Sequence, residues 1–190
     1  MSITGRTRYA ILDRDGTLIV LKNYLSDPDE VVLLPGVLEG LHQLRAMGLG
    51  LIVITNQSGV GRGHFDEARL AEIHARLSEL LVDSGIQLDG IYYCPHTPEE
   101  SCTCRKPNPG LIQMAARKLD FDPSECYVIG DNISDIELGQ RVRATTFLIR
   151  TGYGAQVESQ GDATPDYVQD DLVAVSRTIG TLLMSSQGKS

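Results

Sequence analysis

The sequence lacks any apolar run of the roughly 20 residues that a membrane span needs, and residues 1–6 have no apolar core typical of a signal peptide. Basic residues are also scarce: 17 Lys and Arg stand against 25 Asp and Glu, for a formal net charge of -8. Nucleic-acid binding depends on clustered basic side chains that neutralise phosphates. We therefore expect a soluble cytoplasmic protein with neither a membrane nor a nucleic acid as its partner.

Low-complexity stretches, internal repeats and interdomain linkers are also absent, and hydrophobic residues make up 42% of the 190 residues. This length and composition are typical of one globular domain with a sizeable core. We expect a single domain over residues 1–190, with a frayed tail over residues 185–190. No unexplained apolar stripe indicates an interface, so we expect a monomer.

Cysteine is scarce as well, but three of the four cysteines lie close together and next to a histidine. Cys94, His96, Cys102 and Cys104 form a closed set of four ligands that suits a tetrahedral structural Zn²⁺. In a cytosolic chain such a cluster indicates a metal rather than a disulfide. We predict a zinc loop over residues 94–104, the alternative being buried free thiols beside an exposed histidine. Cys126 stands apart and is expected to be a core residue.

Short apolar runs alternate with helical patterns along the chain. The runs predict strands at residues 9–12, 49–55, 91–93, 127–130, 146–149 and 167–168. Apolar residues at helical spacing predict helices between Gly36 and Gly48, between Asp66 and Gly85, and at residues 109–119, 133–142 and 171–184. Strands that are apolar on both faces and alternate with helices are typical of a covered parallel sheet. The expected fold class is therefore α/β, with helices on both faces of a central parallel sheet.

Acidic residues follow two of these runs directly. Asp13 and Asp15 follow the first run, and Asp131 follows the fourth. Ligands bind at the carboxyl ends of the strands in such a sheet. Asp13 and Asp131, together with the backbone carbonyl of Asp15, offer an oxygen-only ligand set that suits Mg²⁺. Each aspartate alone could be a helix cap or a turn residue, but their joint position favours a metal site.

Candidate phosphate-binding groups occur at the same predicted edge. Thr55 and Asn56 end the second run and offer hydroxyl, amide and backbone N–H donors, although either residue alone is more typical of a polar turn. Lys106 supplies a point charge for a phosphate, and Arg105 supplies a planar fork for a second anionic group. The alternative is that both are solvated surface side chains, but the adjacent cysteine loop and prolines favour a fixed direction for each side chain. Residues 18–35 and 59–65 are expected to be loops beside this site.

Four motifs resemble, in order, those of the haloacid dehalogenase superfamily of phosphatases: residues 13–17, Thr55-Asn56, Lys106, and Gly130-Asp131 with Asp135. The resemblance implies a three-layer Rossmann-like fold. It also implies that Asp13 attacks phosphorus to form an aspartyl-phosphate, and that Asp15 protonates the leaving oxygen and later activates water. Mg²⁺, Thr55, Asn56 and Lys106 are implied to neutralise the charge on the phosphoryl group.

The zinc loop and the residues that follow it are similar to those of a small group in this superfamily that has no large cap domain. The group includes heptose bisphosphate and histidinol-phosphate phosphatases. Residues 55–63, 88–96 and 150–152 look like the heptose enzymes, and Ser58 stands where histidinol enzymes usually have Asp. The resemblance implies removal of the 7-phosphate of a heptose bisphosphate, with histidinol phosphate as the alternative substrate. The residues implied to bind the substrate are Leu21, Lys22, Asn23, Tyr24, Thr55, Asn56, Gln57, Ser58, Arg105 and Lys106.

Two positions depart from the heptose pattern. Asn132 stands where many heptose phosphatases carry Lys, and Leu21 stands where an acidic residue often precedes the loop that contacts the sugar.

A catalytically silent, zinc-braced binding module is the alternative from another class, and the intact Asp13 and Asp15 argue against it. A closed zinc site has no open coordination position, so we expect zinc to brace the loop and not to perform chemistry.

Overall fold

The structure, a computed structural model, describes residues 7–187. Six strands form one sheet: β1 (Tyr9–Leu12), β2 (Gly50–Asn56), β3 (Gly90–Cys94), β4 (Tyr127–Gly130), β5 (Thr145–Ile149) and β6 (Tyr167–Gln169). Their order is β3-β2-β1-β4-β5-β6, and every neighbouring pair is parallel. The predicted parallel sheet is confirmed, with β1 near its centre.

Helices cover both faces of the sheet. They are α1 (Val37–Ala46), α2 (Ser58–Gly61), α3 (Glu67–Val82), α4 (Gly110–Leu119), α5 (Ile133–Arg141), α6 (Gly154–Gln160) and α7 (Leu172–Gln187). Buried side chains of α1, α3 and α7 pack on one face, and those of α4, α5 and α6 pack on the other. The three-layer Rossmann-like architecture is therefore confirmed, and residues 7–187 contain no separate cap domain.

The burial of β1 shows why its sequence is apolar throughout. Ala10 and Leu12 point into the core beneath α1, and Tyr9 and Ile11 point into the core beneath α4. Successive strand residues alternate between faces, so a strand covered on both sides requires apolar residues at every position. Burial of each large aliphatic side chain contributes about 1.5–3 kcal/mol. These contacts hold the strand that leads directly into Asp13 and Asp15.

Capping residues begin two of the helices at the predicted places. The Asp66 side chain accepts a hydrogen bond from Arg69 N and begins α3, which buries an apolar stripe at helical spacing. Asn132 begins α5 as part of a capping box, in which Asp135 accepts a hydrogen bond from Asn132 N. The second cap also fixes the orientation of an acidic side chain beside the candidate site.

Two helices and the C-terminal boundary differ from the sequence predictions. Residues 58–61 form α2, which overlaps the segment 59–65 predicted to be a loop, and α6 was not predicted. Both helices are short and have few buried apolar residues, so they present no periodic stripe. Helix α7 continues to Gln187, so residues 185–187 of the predicted frayed tail belong to a helix. Residues 188–190 of that tail, and the N-terminal residues 1–6, lie outside the described part of the chain.

Across residues 7–187, every helix is too short or too polar to cross a lipid bilayer.

Candidate active site

The carboxyl ends of β1, β2 and β4 meet at one edge of the sheet. Asp13 and Asp15 follow β1, Thr55 and Asn56 end β2, and Asp131 follows β4. Because β1 pairs with both β2 and β4 in parallel, these residues come together although the sequence separates them widely. The backbone continues this pairing beyond β1, since Asp13 N donates a hydrogen bond to Ile129 O at 2.9 Å.

Lys106 lies among the carboxylates of this edge. Its Nζ is 2.5 Å from Asp13 Oδ1 and 2.7 Å from Asp135 Oδ1, and it also donates to Ile54 O at 2.8 Å. Lys106 is 5% exposed. Burial disfavours its charge, but Asp13 and Asp135 outweigh that effect and raise the pKa of the ammonium above its ordinary value. Lys106 is therefore a fixed cation in contact with the predicted nucleophile.

Asn56 holds the backbone of Lys106 in place. Lys106 N donates to Asn56 Oδ1 at 2.9 Å, and Asn56 Nδ2 donates back to Lys106 O at 3.2 Å. This reciprocal pair joins the end of β2 to the segment after the cysteine loop. Asn56 also lines a cavity together with Asp13 and Lys106, so its contacts to Lys106 add a positioning role to the predicted role in phosphate binding.

Asp13, Asp131 and Asp135 form a buried carboxylate cluster, with one oxygen of each within 4.8 Å of the others. Burial, together with the charges of Asp135 and Asp15, raises the pKa of Asp13 to about 7 in spite of Lys106. Burial and the charges of Asp13 and Asp135 raise the pKa of Asp131 to about 8. A divalent cation would relieve this repulsion, and the oxygen-only donor set fits Mg²⁺. The residues present therefore suit the predicted magnesium site.

The members of this cluster differ in part from the predicted magnesium ligands. Asp13 and Asp131 are present as predicted, and Asp135 joins them. The sequence contained a signal for Asp135, which lies in the acidic stretch after β4, but its contact with Lys106 was not foreseen. Asp15 is predicted to contribute only its backbone carbonyl to the metal site. Its side chain is bound by Arg14 and Gln57.

Two side chains donate hydrogen bonds to the Asp15 carboxylate. Arg14 donates to both of its oxygens, each at 3.1 Å, and Gln57 Nε2 donates to Asp15 Oδ2 at 2.8 Å. Gln57 Nε2 also donates to Thr55 Oγ1 at 2.9 Å. Arg14 is only 1% exposed, so its charge is paired inside the protein. Gln57, predicted to bind substrate, thus also fixes the predicted acid/base residue, and the role of Arg14 was missed.

Two adjoining cavities open at this edge. The smaller, of about 200 Å³, is the catalytic pocket, and it contains the carboxylate cluster, Asp15, Thr55 and Lys106. The other, of about 330 Å³, lies beside it and is the outer pocket. Its lining includes Lys22, Asn23, Tyr24, Gln57 and Ser58. Asp15, Leu21, Asn56, Arg105 and Tyr153 line both. Every residue predicted to bind substrate therefore borders one of these cavities, and Tyr153 is an addition that no motif indicated.

The predicted zinc ligands converge at the end of β3. Cys104 Sγ is 3.1 Å from Cys94 Sγ, 3.3 Å from Cys102 Sγ and 3.2 Å from His96 Nδ1. Cys94 Sγ is 3.4 Å from Cys102 Sγ and 3.6 Å from His96 Nδ1. A tetrahedron with metal–ligand distances of about 2.0–2.3 Å has edges of about 3.3–3.8 Å. The five distances, 3.1–3.6 Å, lie within or slightly below this range, so the four atoms are grouped closely enough for a closed structural zinc site. Cys126 is buried apart from them.

Hydrogen bonds connect the cysteine loop to the catalytic edge. Arg105 N donates to Cys102 Sγ at 3.3 Å, and Arg105 Nη1 donates to His96 O at 3.3 Å. Burial opposes ionisation of Cys102, but hydrogen bonds from Cys104, Cys94 and Arg105 N lower the pKa of its thiol to about 6. The thiolate that a metal requires is therefore favoured at this position. These contacts hold Arg105 against the loop, and Lys106 follows Arg105 directly in the chain.

A doubly wound parallel sheet with paired aspartates, a buried lysine and further aspartates at its carboxyl edge defines a hydrolase of the haloacid dehalogenase class. In agreement, residues 103–175 match the family model described as HAD-hydrolase-like.

Similar proteins narrow this class. The chain is 36% identical over 175 residues to D-glycero-beta-D-manno-heptose-1,7-bisphosphate 7-phosphatase of Pasteurella multocida, covering 88% of this chain and 94% of that one. It is 36% identical over 176 residues to the protein of the same name from Escherichia coli K12, covering 88% and 91%. The chain belongs to the family of these heptose bisphosphate phosphatases.

Solved structures agree with this assignment. D,D-heptose 1.7-bisphosphate phosphatase from B. bronchiseptica, complexed with magnesium and phosphate, aligns with a TM-score of 0.86 at 34% identity, covering 92% of this chain and 99% of that one. D,D-heptose 1,7-bisphosphate phosphatase from Burkholderia thailandensis aligns with a TM-score of 0.72 at 30% identity, covering 91% and 98%.

Proposed function

We propose that the protein is a Mg²⁺-dependent phosphomonoesterase that removes the 7-phosphate of D-glycero-beta-D-manno-heptose 1,7-bisphosphate. The observation that carries the proposal is the contact between Asp13 and Lys106 inside the cluster with Asp131 and Asp135. The names of the similar proteins support the substrate, and the magnesium and phosphate bound by one structural neighbour support the chemistry.

The first step is attack by an Asp13 carboxylate oxygen on phosphorus. An O–P bond forms to Asp13, the bond from phosphorus to the sugar oxygen breaks, and its electron pair leaves with that oxygen. Burial disfavours the ionised form of Asp13, which a nucleophile must have, whereas Lys106 favours it. When bound at the Asp13 and Asp131 carboxylates and the Asp15 carbonyl, Mg²⁺ supplies positive charge that favours the ionised carboxylates and offsets the phosphoryl charge.

Asp15 carries the protons in both steps. It donates a proton to the leaving sugar oxygen, and it then accepts one from the water that attacks the aspartyl-phosphate. That second attack releases inorganic phosphate and regenerates Asp13. Arg14 and Gln57 hold the Asp15 carboxylate at the rim of the catalytic pocket, where it can reach the leaving oxygen.

Lys106 and Thr55 stabilise the phosphoryl group in this proposal. The Lys106 ammonium and the Thr55 hydroxyl both lie at the catalytic pocket, where charge develops on the phosphoryl oxygens. Asn56 keeps Lys106 in place and offers its amide to the same pocket. Asp135 binds the other side of the Lys106 ammonium and so directs it towards Asp13.

The outer pocket accommodates the sugar and its remaining phosphate in this proposal. Arg105 stands between the two pockets and offers a planar guanidinium to the second phosphate, and Lys22 adds a second cation. Asn23, Tyr24 and Ser58 offer polar groups to the sugar hydroxyls. Structural zinc at the four cysteine-loop ligands fixes the position of Arg105.

A phosphate-release panel tests the assignment. The wild-type protein with Mg²⁺ is given heptose 1,7-bisphosphate, histidinol phosphate and a small aryl phosphate, alongside Asp13→Asn and the exposed control Asp83→Asn. We expect preference for the bisphosphate, loss of activity in Asp13→Asn and normal activity in Asp83→Asn. Preference for histidinol phosphate contradicts the proposed substrate. Full activity of Asp13→Asn contradicts the aspartyl-phosphate mechanism, and no release from any ester favours the silent binding module.

We further propose that residues 1–190 act as one monomeric domain in the cytoplasm, with neither a nucleic acid nor a membrane as partner. The net charge of -8 supports the exclusion of nucleic acid. Size-exclusion chromatography with light scattering tests the monomer, because a dimer doubles the mass of 20.7 kDa.

A further inference from the structure

The turn after β5, residues 151–153, reaches back to the carboxylate cluster. Thr151 Oγ1 donates a hydrogen bond to Gly16 O at 2.6 Å, and Tyr153 N donates one to Asp131 Oδ2 at 2.7 Å. Gly16 follows β1 and Asp131 follows β4, so this short turn connects the ends of three strands. Residues 150–152 resemble those of the heptose enzymes, but their motif did not indicate a function.

Two glycines permit this close approach. Gly16 and Gly152 have positive φ values of 81° and 53°, and a Cβ atom would lie 2.2 Å from Asp131 Oδ2 at Gly16 and 1.9 Å at Gly152. Side-chain carbons essentially never approach other heavy atoms below 3.0 Å. Asp131 Oδ2 therefore lies between two backbones and accepts a hydrogen bond from a third residue. This packing restricts rotation of the carboxylate.

The turn is itself held from its other side. Arg150 donates to both carboxylate oxygens of Glu158 in α6, each at 2.7 Å, and to Asp170 at 2.5 Å. Arg150 N also donates to Gln169 O at 2.9 Å. A bidentate arginine–carboxylate pair gives a defined geometry. The turn is therefore held on two sides, by α6 and β6 on one side and by the catalytic edge on the other.

We propose that residues 151–153 are a positioning element that orients Asp131 and thereby sets the affinity of the carboxylate cluster for Mg²⁺. This inference rests on the proposed function, in which the carboxylate cluster binds Mg²⁺. Groups that hydrogen-bond to metal ligands fix the direction of the ligand, and their loss weakens metal affinity by about 10–100-fold. Tyr153 acts here through its backbone N–H, and Thr151 holds the turn against the loop after β1.

Variants of the turn separate this role from general stability. Gly152→Ala places a methyl group against Asp131 Oδ2, Thr151→Val removes the hydroxyl that binds Gly16 O, and Thr151→Ser keeps that hydroxyl. Gly161→Ala is the matched control. Gly161 also has a positive φ, of 69°, but a Cβ there meets nothing within 4 Å. It reproduces the backbone strain without the contact to Asp131.

The measurements are the Mg²⁺ dissociation constant by titration calorimetry, the unfolding temperature, and kcat and KM as functions of Mg²⁺ concentration. We expect Mg²⁺ affinity to fall about 10–100-fold in Gly152→Ala and about 3–10-fold in Thr151→Val. Thr151→Ser and Gly161→Ala should keep wild-type affinity, even if Gly161→Ala unfolds at a lower temperature. Saturating Mg²⁺ should restore kcat of Thr151→Val, with no change in the substrate KM.

Wild-type affinity in both Thr151→Val and Gly152→Ala overturns the inference, and an equal loss in Gly161→Ala does so as well. If Gly152→Ala does not fold, Thr151→Val and its serine counterpart decide the result. The proposed substrate can fail separately: a wild-type protein that binds Mg²⁺ but does not hydrolyse the bisphosphate contradicts that substrate, while weaker binding in Thr151→Val still supports the positioning role. A wild-type protein that binds no Mg²⁺ overturns the positioning role.

Discussion

Lys106 Nζ lies 2.5 Å from Asp13 Oδ1, although the two residues are 93 positions apart in the chain. The same ammonium contacts Oδ1 of Asp135, a residue in the first turn of α5. One buried cation therefore lies between two buried carboxylates, one directly after β1 and one in α5. Removal of the cation would leave both carboxylates in a low-dielectric environment without their partner.

We predict that Lys106→Met lowers phosphatase activity by about 10²-fold or more and destabilises the protein by about 3–5 kcal/mol. The loss arises because Asp13 and Asp135 lose the ammonium that they share. Steady-state kinetics and urea denaturation without added metal measure the two effects. The exposed Lys118→Met, on α4, should change neither. An active, equally stable Lys106→Met would disprove both the catalytic and the electrostatic role of this residue.

Loss of one cysteine ligand should release zinc and loosen the loop that carries Arg105 and Lys106. We predict that Cys102→Ser loses bound zinc, lowers the unfolding temperature by about 5–10 °C and reduces activity. Cys126→Ser is the matched control, since Cys126 is buried outside the cluster and its thiol donates to Asp122 O, as a serine hydroxyl can. Zinc analysis and thermal unfolding compare the two variants, and Cys126→Ser should keep its zinc. Unchanged zinc content in Cys102→Ser contradicts a structural zinc site.

His74 should make the protein less stable in acid. Burial, with a smaller effect of Arg14, lowers its pKa from 6.5 to about 3. Between these values the unfolded chain binds a proton that the folded chain does not, so the free energy of unfolding decreases as pH falls. His74 accounts for at most about 1.4 kcal/mol per pH unit of this slope. We predict a shallower slope from pH 6.5 to 4 for His74→Gln in urea denaturation.

The exposed His42→Gln should retain the wild-type slope, and any zinc released at low pH affects all three proteins equally. Equal slopes for wild type and His74→Gln would show that His74 is protonated to the same extent in both states of the chain.

Arg105 should discriminate between substrates with one and two phosphates. We predict that Arg105→Gln raises KM for the heptose bisphosphate about tenfold or more, because the guanidinium no longer binds the second phosphate. KM for a small aryl phosphate should stay near the wild-type value. The exposed Arg117→Gln controls for a change in net charge. An equal increase in KM for both substrates would indicate that Arg105 supports the loop rather than the second phosphate.

Much of the fold could be predicted because buried parallel strands have a simple pattern. The bounds of β1 and β4 agree with the sequence prediction, since each is a short apolar run that ends at a polar residue or a glycine. Helix α2 has no such pattern. Its four residues include two glycines, and tertiary contacts around Gly59 and Gly61, rather than periodicity, determine their conformation.

The candidate site was predictable in its residues but not in its pairings. Asp13 lies beside Lys106, as the motifs indicated, and the four cysteine-loop ligands form a separate group, also as predicted. The contact of Asp135 with Lys106 depends on the order of strands across the sheet and on the cap of α5, neither of which the spacing of residues specifies. The contacts of Arg14 with Asp15 depend on side-chain directions within a turn.

The position of β1 in the sheet also has a consequence for biosynthesis. Strand β1 is translated before both of its partners, so it can pair with β2 on one side but must wait for β4, which ends at Gly130, on the other. Until then, Asp13 and Asp15 lack Asp131 and Asp135, and one edge of β1 has unpaired backbone groups. Chains that terminate before β4 would present that open edge to other chains and are expected to aggregate. A nascent protein thus acquires its complete catalytic edge only after β4 and α5 have been translated.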